Sequence, residues 1–429
     1  MRKSKFIKST IILLIGGFLT KILGMFIKII TTRLIGTKAI GLYMMIMPTF
    51  NLFITLAQAG FPISISKIVS EDKKENKKIV FSSIFMSVVI TFILMIILIL
   101  TSPIIAKFLH NDNLRFPIMS IGFTLPFISL SGIIRGYFFG KEKMLPHVIS
   151  NTFEQIVRII LNIIFLPILS SFKVEVIITF LILSNVISET MSIIVLYFFL
   201  PKKIKITKDM IKPDHQIMKD VLNISLPTTG SRLIGTIGYF FEPIILTTFL
   251  LLNGYTSDYI TFEYGIITGY VMPLLMLPSF FSMAISQAVI PVISNGYANG
   301  KIKYIKSKIK QSLTLSFIIG LVFTILIMIF PEFFMNFIYN TNEGVDYIRI
   351  IAPFFLFYYV QVPLTSVLQS LNKAKEAMMS TLVGIFIKIG LIIILSFLKI
   401  GLYPLIIATI VNMIYVTIFN YIKIKKVFK

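Results

Sequence analysis

Long apolar runs separated by short polar segments recur along the whole 429-residue chain. Runs of about 20 apolar residues or more are long enough for an α-helix to cross the hydrocarbon core of a bilayer. The pattern predicts twelve membrane-spanning helices in an all-α integral membrane protein. They cover residues 6–35, 38–66, 79–107, 116–139, 146–170, 174–200, 219–251, 261–293, 309–335, 347–371, 374–397 and 401–422.

The basic residues are distributed unevenly between the polar segments on the two sides of these helices. With the N-terminus in the cytoplasm, the cytoplasmic segments hold 28 of the 41 Lys and Arg residues, and the outer segments hold seven. This asymmetry follows the positive-inside rule and predicts a multi-pass protein of the cytoplasmic membrane with both termini cytoplasmic. Lysines at helix ends contact anionic membrane lipids, which explains the net charge of +23 without a nucleic-acid partner.

Two short segments of the first half recur in the second half. AGFPISIS at 59–66 resembles AVIPVIS at 288–294, and GKEK at 140–143 resembles NKAK at 372–375, with nearly the same offset in residue number. Because each half starts in the cytoplasm and has six spans, the repeat is parallel, with a pseudo-two-fold axis along the membrane normal. We predict one six-helix bundle at 1–200, a cytoplasmic linker at 201–218 and a second six-helix bundle at 219–429.

Composition restricts the chemistry open to this chain. A hydrophobic fraction of 56% with only 14% charged residues is not that of an ordinary soluble domain. Cys is absent, which excludes disulfides and thiol catalysis. The three histidines lie in or beside loops without metal-ligand spacing, and no nucleotide-binding motif is evident. We therefore expect no catalytic residue, no metal, no cofactor and no enzymatic activity.

Six basic residues fall inside the predicted spans. A buried cation in a lipid-embedded helix costs from about 2.5 to well over 10 kcal/mol, so such residues normally face a bundle interior or a wet cavity. A cavity lined mainly by cations favours an anion, and phosphate suits both Arg and Lys. The six residues are Lys21, Lys28, Arg135, Arg158, Arg232 and Lys388.

Two pairs of charged residues have informative helical spacing. Lys21 and Lys28 are seven residues apart and therefore share one face of the first helix. We interpret them as a diphosphate-binding stripe, with snorkelling to lipid headgroups as the alternative. Glu154 and Arg158 have the favourable i,i+4 order for an ion pair. This pair is either structural, or Arg158 faces the substrate cavity and Glu154 switches it.

Five further residues are candidates for the transport path. Arg135 either contacts substrate or anchors the headgroup boundary. Arg232 is a cavity candidate that follows Pro227, a residue that either breaks the seventh helix or lies harmlessly in its first turns. Glu242 lies ten residues beyond Arg232, about 15 Å along a helix, so its partner has to come from another helix. Glu189 has no charged neighbour in the sequence and is, like Glu154 and Glu242, a candidate gating or coupling group.

Several longer segments in both halves carry a family resemblance. They are TKILG at 20–24, RLIG at 33–36, AGFPISISKIVSE at 59–71, RGYFFGKEKMLP at 135–146, EQIVR at 154–158, SLPTTGSR at 225–232, FEP at 241–243 and PLLMLPSF at 273–280. With these segments the chain resembles the stage V sporulation protein B family. It resembles more distantly the lipid II flippases and polysaccharide exporters related to multidrug-and-toxin extruders.

The resemblance implies a flippase that moves a polyprenyl-diphosphate-linked glycan, for example a peptidoglycan precursor for the spore cortex, by alternating access. In the lipid II flippases, basic residues of the first helix line the central cavity. Lys21 falls on the first such position, whereas Lys28 falls one residue beyond the second, on the site of an acidic residue that is missing here. Two alternatives stay open: an ion-coupled exporter of organic cations that depends on the glutamates, and a non-transporting scaffold that recruits cell-wall synthesis proteins.

Overall fold

The computed structural model describes residues 2–71, 75–201 and 212–428, and all regular secondary structure in these ranges is helical. A 3-10 turn, Asp112–Leu114, precedes α4, and a π-helical turn, Ile266–Val271, joins α8 to α9. The helices are α1 (Arg2–Gln58), α2 (Phe61–Glu71), α3 (Asn76–Phe108), α4 (Arg115–Gly140), α5 (Leu145–Leu169), α6 (Val174–Phe198), α7 (His215–Leu252), α8 (Ser257–Gly265), α9 (Met272–Met276), α10 (Ser279–Ala298), α11 (Ile302–Ile329), α12 (Pro331–Tyr339), α13 (Val345–Ser370), α14 (Ala374–Ser396) and α15 (Tyr403–Val427).

The structure confirms a multi-span helical membrane protein. Within the described residues, ten helices are long and apolar enough to cross a membrane, and a bent pair, Ser257–Met276 with Ser279–Ala298, makes eleven. The first of the ten, Ile15–Glu71, contains two helical arms that meet at Gly36, where φ is 76°. Counting these arms separately gives the twelve predicted spans.

The predicted helix 38–66 is broken near its end, which the apolar pattern did not reveal. α1 ends and α2 begins across Ala59 and Gly60, whose φ angles are 42° and 65°. Pro62 is the second residue of α2, a position where its missing N–H leaves no intrahelical bond unmade. A left-handed residue at Gly60 therefore ends one helix and allows the next to start in a new direction.

We expect Gly60→Ala to destabilise the protein by more than the 1–2 kcal/mol or so that a left-handed residue with a Cβ costs. The additional loss arises because the new Cβ would lie 3.0 Å from the Ser225 carbonyl oxygen of α7. Gly300→Ala is the matched control, since Gly300 has a φ of 64° and no atom within 4 Å of a built Cβ. Thermal unfolding followed by circular dichroism measures both variants. Equal losses would mean that the approach of α7 does not require glycine.

Two other predicted helices are wrong as single helices. The segment 261–293 is divided between α8, a π-helical turn, α9 and α10, and it bends by 53° between Met276 and Ser279. The helix predicted at 309–335 begins earlier, at Ile302, and ends before Pro331, which opens α12. Pro331 starts a helix rather than continuing one because proline has no N–H to donate and its ring clashes with the preceding turn.

The chain forms two compact units, Met1–Phe240 (unit 1) and Phe241–Lys429 (unit 2). The boundary between the units falls inside α7. The beginning of α7 belongs to unit 1 because Ile217 and Val221 are buried in a core with Phe61 and other apolar residues of α2, α3 and α4. Burial of this apolar face, rather than the end of a helix, therefore decides which unit the segment joins.

The predicted linker 201–218 is described only in part, because residues 202–211 lie outside the described ranges. Beyond them, Asp214 Oδ1 accepts hydrogen bonds from the backbone N–H groups of Ile217 (3.1 Å) and Gln216 (2.9 Å), as an N-cap residue does. The Ile217 N–H, together with the Gln216 N–H, holds the pKa of Asp214 below its usual value. The division of the chain at 200 and 219 stays a prediction.

Turn geometry supports the internal repeat and corrects its register. Two left-handed residues that follow helices in the first half have counterparts in the second half. The first pair is His110 and Asn340, with φ angles of 51° and 57°, and the second pair is Glu142 and Asn372, with φ angles of 55° and 60°. The two pairs have the same offset in residue number, and the starts of α4 and α13, each 26 residues long, share it. The alignment of GKEK with NKAK gives a slightly larger offset. That alignment is wrong, because the left-handed residue defines the turn and the lysines do not.

The turns after α4 and α13 also use the same backbone hydrogen bonds. Lys143 N donates to Phe138 O at 2.9 Å, and Lys373 N donates to Leu368 O at 2.9 Å. A bond of this span around a left-handed residue is the Schellman ending of a helix. Lys143 and Lys373 are therefore equivalent positions in the two units.

Candidate functional site

Unit 1 contains a network of two arginines and two glutamates from α4, α5 and α6. Arg135 Nη2 lies 2.8 Å from Glu154 Oε2 and 3.5 Å from Glu189 Oε2. Arg158 Nη2 lies 2.9 Å from Glu154 Oε1. Glu154 thus binds a different arginine with each carboxylate oxygen. The predicted Glu154–Arg158 ion pair is confirmed, and it is part of a larger network that reaches Glu189.

Two serines of α6 complete this network. Arg135 Nη2 donates to Ser192 Oγ at 2.8 Å, and Arg158 Nη2 donates to Ser188 Oγ at 3.2 Å. Ser188 and Ser192 are four residues apart, so α6 presents both hydroxyls on one face. One face of α6 therefore holds both guanidinium groups in place.

The network is buried, and some of its donors are unused. The side chains of Arg135, Glu154 and Glu189 are 15%, 7% and 8% exposed. The Nε atoms of Arg135 and Arg158 are buried without a hydrogen-bond partner among the described residues. An unmade bond at a buried donor costs about 1–3 kcal/mol, and more for a charged group. Arg135 is therefore buried among packed helices of unit 1, and its role in substrate contact or as a headgroup anchor stays a prediction.

Lys28 lies at the level of Arg158 along the paired, parallel helices α1 and α5. Asn162 Nδ2 donates to Thr31 Oγ1 at 2.8 Å, which sets the register of the two helices. Lys28 is three residues before Thr31, and Arg158 is four residues before Asn162. Their Cα atoms therefore differ in height by about 1.5 Å. Lys28 is therefore close in height to the Arg158 end of the network.

Lys21 and Arg232 lie outside this network. The side chain of Lys21 is exposed and lies seven residues before Lys28, about 10 Å along α1. The side chain of Arg232 is also exposed, and its Nη2 donates to Gln58 Oε1 at 3.3 Å. Pro227 lies twelve residues after His215, where α7 begins. The alternative that Pro227 lies in the first turns of this helix is therefore wrong.

Unit 2 contains a second buried ion pair. Lys388 Nζ of α14 lies 2.6 Å from Glu242 Oε2 of α7, and the two side chains are 18% and 9% exposed. The prediction that Glu242 takes its partner from another helix is confirmed. The sequence indicates no partner for Lys388 because the two residues are 146 positions apart.

The internal repeat relates the two buried cations to one another. Arg158 lies fifteen residues after Lys143, and Lys388 lies fifteen residues after the equivalent Lys373. Each unit therefore carries a cation at the same position of the helix that follows the equivalent turn. A glutamate of the same unit neutralises each of them, Glu154 for Arg158 and Glu242 for Lys388.

Sequence reasoning missed Ser188 and Ser192 as members of the site. Their spacing on α6, on either side of Glu189, was a usable signal, because three polar side chains within two turns of an apolar helix need partners. It also missed the equivalence of Arg158 and Lys388. The exact register of the repeat would have revealed this equivalence. The two pairs of similar segments gave two different registers, and neither register aligns Arg158 with Lys388.

Comparison with known proteins agrees with the resemblance seen in the sequence motifs. The profile of the family described as Polysaccharide biosynthesis protein matches residues 6–297, and the MatE profile matches residues 267–394. Over 439 residues the chain is 35% identical to Stage V sporulation protein B of Bacillus subtilis (strain 168), covering 100% of this chain and 85% of that protein. It is 25% identical over 424 residues to Lipid II flippase MurJ of the same organism, covering 90% and 77%.

Solved structures show the same fold. An inward-facing multidrug resistance MATE family transporter of the MOP superfamily has a TM-score of 0.73 and 16% identity, with 95% of this chain and 94% of that chain covered. A MOP superfamily transporter from Pyrococcus furiosus has a TM-score of 0.62 and 16% identity, with 99% and 96% covered. The fold is thus the two-lobe MOP fold. The full-length identity and the match over residues 6–297 show that the chain belongs to the polysaccharide biosynthesis protein family, as a relative of stage V sporulation protein B.

Proposed function

We propose that this protein is a flippase that moves a polyprenyl-diphosphate-linked glycan across the cytoplasmic membrane by alternating access. The similarity to Stage V sporulation protein B and to Lipid II flippase MurJ supports a peptidoglycan precursor as substrate. Such a transporter needs no bond-breaking group, no metal and no cofactor of its own. The work of the protein is to stabilise a doubly charged headgroup inside a low-dielectric membrane.

The buried arginines Arg135 and Arg158 carry this proposal. Each has an Nε donor without a partner among the described residues, and each lies beside the Glu154 carboxylate. A diphosphate offers several acceptor oxygens, and charge-assisted hydrogen bonds to it are roughly twice as strong as neutral ones. A cation-export site would need carboxylates in excess, whereas this network holds two arginines and two glutamates.

The remaining site residues have roles that follow from their partners. Glu154 and Glu189 act as gates, because they hold the arginines when no substrate is present and release them when the diphosphate arrives. Glu242 acts in the same way on Lys388, and Pro227 gives α7 a point of flexure. The polyprenyl tail stays in lipid while the diphosphate passes. The residues that bind the diphosphate are Lys21, Lys28, Arg158, Arg232 and Arg135.

The proposal includes an orientation and further partners. Both termini face the cytoplasm, and the lysine-rich segments contact anionic lipid headgroups there. Cell-wall synthesis proteins are the partners that would supply and consume the glycan. Spore formation is the process that the similarity to Stage V sporulation protein B favours.

Arg158→Gln is expected to weaken binding of lipid II by about ten- to hundredfold, because one charge-assisted contact contributes about 1.5–3 kcal/mol. The measurement is native mass spectrometry of the full chain with lipid II, a neutral polyprenol and a cationic dye. Lys21→Ala should also weaken lipid II binding. Arg158→Lys should bind at an intermediate level, since it keeps the charge but loses the planar fork.

Arg349→Gln is the matched control, because Arg349 forms an exposed ion pair with Glu332 and is not part of the arginine–glutamate network of unit 1. It should leave lipid II binding unchanged. Binding of the dye without preference for lipid II would replace the proposal by cation export, with dependence on the glutamates. Binding of neither ligand, together with tolerance of all the buried-cation substitutions, would favour a scaffold for cell-wall synthesis.

A further inference from the structure

Four tyrosines from three segments of unit 2 form a cluster, here called the tyrosine cluster. The rings of Tyr255 and Tyr259 are stacked, with centroids 5.3 Å apart and an interplanar angle of 16°. The rings of Tyr347 and Tyr403 meet edge to face at 5.6 Å and 71°. Tyr255 and Tyr259 flank the start of α8, whereas Tyr347 and Tyr403 belong to the starts of α13 and α15.

Two shared contacts hold these ring pairs together. Gly401 N donates to Tyr255 Oη at 2.7 Å, and a Cβ at Gly401 would lie 2.8 Å from Tyr259 Oη. Gly401 lies two residues before Tyr403. On the other side, Tyr347 Oη donates to Glu263 Oε2 at 2.6 Å, and Glu263 lies one helical turn after Tyr259. The four rings and one carboxylate therefore form a single group.

The tyrosine cluster lies at the end of unit 2 opposite to its lysine-rich segments. α15 starts at Tyr403 and carries Lys425 and Lys426 in its last turn. Its 25 residues span about 37 Å. With the proposed orientation, the cluster is on the extracytoplasmic side, where a transported glycan leaves.

An interfacial belt is the simple explanation for tyrosines at a helix end, since the protein has no Trp. In a belt, the hydroxyl groups point to headgroups and water. Here the Tyr255 and Tyr347 hydroxyls bond within the cluster instead, which fixes the rings. Tyr259 remains 36% exposed, and Glu263 Oε1 accepts no hydrogen bond from the described residues. Fixed rings beside an available carboxylate oxygen are the components of a ligand site.

We propose that the tyrosine cluster and Glu263 bind a sugar ring of the lipid-linked glycan on the extracytoplasmic side, an inference that rests on the proposed function. Tyr259 offers an aromatic face to the apolar C–H face of a pyranose. Glu263 Oε1 accepts a hydrogen bond from a sugar hydroxyl, and Tyr347 holds that carboxylate in place.

The test is saturation-transfer NMR on the full chain in nanodiscs with N,N′-diacetylchitobiose as the probe. The wild type should show transfer to the C–H protons of the sugar. Tyr259→Ala should reduce apparent affinity about fivefold, the effect of losing one aromatic contact. Tyr259→Phe should keep it, and Glu263→Gln should weaken it. Tyr421→Ala is the matched control, because Tyr421 is 52% exposed at the other end of α15.

Three results would overturn this inference: no transfer in the wild type, equal loss in Tyr421→Ala, or displacement of the sugar by tetramethylammonium at low concentration. The last would indicate a cation-binding aromatic cage. Undecaprenyl diphosphate without sugar, measured in parallel, separates the two proposals. Binding of this lipid without binding of chitobiose would contradict the sugar site and leave the flippase proposal intact. Binding of chitobiose without binding of the lipid would support the aromatic sugar site and contradict the proposed flippase function.

Discussion

Glu154→Gln is expected to be the most damaging single substitution in unit 1, with a loss of about 3–5 kcal/mol in the free energy of unfolding. Glu154 neutralises two arginines at once, at 2.8 Å and 2.9 Å. Without it, Arg135 keeps Glu189 at 3.5 Å and the Ser192 hydroxyl, and Arg158 keeps the Ser188 hydroxyl. Two guanidinium groups would then share one distant carboxylate inside the membrane.

Thermal unfolding by circular dichroism measures this effect, because a chain without Trp and Cys offers no indole fluorescence and no thiol label. Glu332→Gln is the matched control: it breaks the pair with Arg349, in which the Arg349 and Glu332 side chains are 54% and 50% exposed. Exposed pairs contribute about 0–1 kcal/mol, so this variant should unfold close to the wild type. A similar melting temperature for Glu154→Gln and the wild type would contradict the network as described.

The double variant Glu154→Gln/Arg158→Gln gives a sharper test of the same idea. It removes one negative and one positive charge, and it leaves Arg135 with Glu189. We expect it to be more stable than Glu154→Gln alone, because an unpaired buried charge costs more than a missing pair. Equal instability of the single and double variants would show that Glu154 contributes through packing rather than charge.

Lys388→Met is expected to destabilise unit 2 by a similar amount, about 3–5 kcal/mol, because it leaves the Glu242 carboxylate buried without its cation. The paired atoms are 2.6 Å apart, and the two side chains are 18% and 9% exposed. Glu242→Gln should be damaging for the converse reason. The double variant Lys388→Met/Glu242→Leu should recover most of the loss, since apolar residues of similar volume replace a buried pair at little cost.

A double-mutant cycle over Lys388 and Glu242 isolates the interaction between them. We expect a coupling energy of about 1–3 kcal/mol from melting curves of the four proteins. Lipid II binding should be measured on the same four proteins. If the double variant recovers stability but not binding, the pair acts on substrate. If it recovers both, Lys388 and Glu242 serve only to hold α14 against α7. A coupling energy of zero would contradict the ion pair between Lys388 and Glu242.

The repeat gives these two predictions a common basis. Arg158 and Lys388 occupy equivalent positions, yet their glutamates do not. Glu154 lies one turn before Arg158 on the same helix, whereas the residue one turn before Lys388 is Gly384, and Glu242 comes from α7. The cation is therefore the shared feature of the two units, and each unit neutralises it in its own way.

Much of the fold was predictable because apolar length and lysine placement are local properties of the chain. The start of α6 at Val174 and the start of α14 at Ala374 are where the apolar runs begin. The break at Ala59 and Gly60 was not predictable in this way. Glycine there is required by the approach of Ser225, which is far away in the chain and belongs to another helix. A helix pattern carries no information about such a distant neighbour.

The same distinction between local spacing and helix packing applies to the candidate site. The order of residues was enough to indicate the membrane class and the family. It also predicted the Glu154–Arg158 pair, because residues four apart on a helix are always neighbours. The partners of the other buried charges emerged from the packing of different helices, as for Arg135 with Glu189 and Lys388 with Glu242. A charge inside the membrane has to find a partner, but which partner it finds depends on how helices pack, and the spacing of residues does not encode that packing.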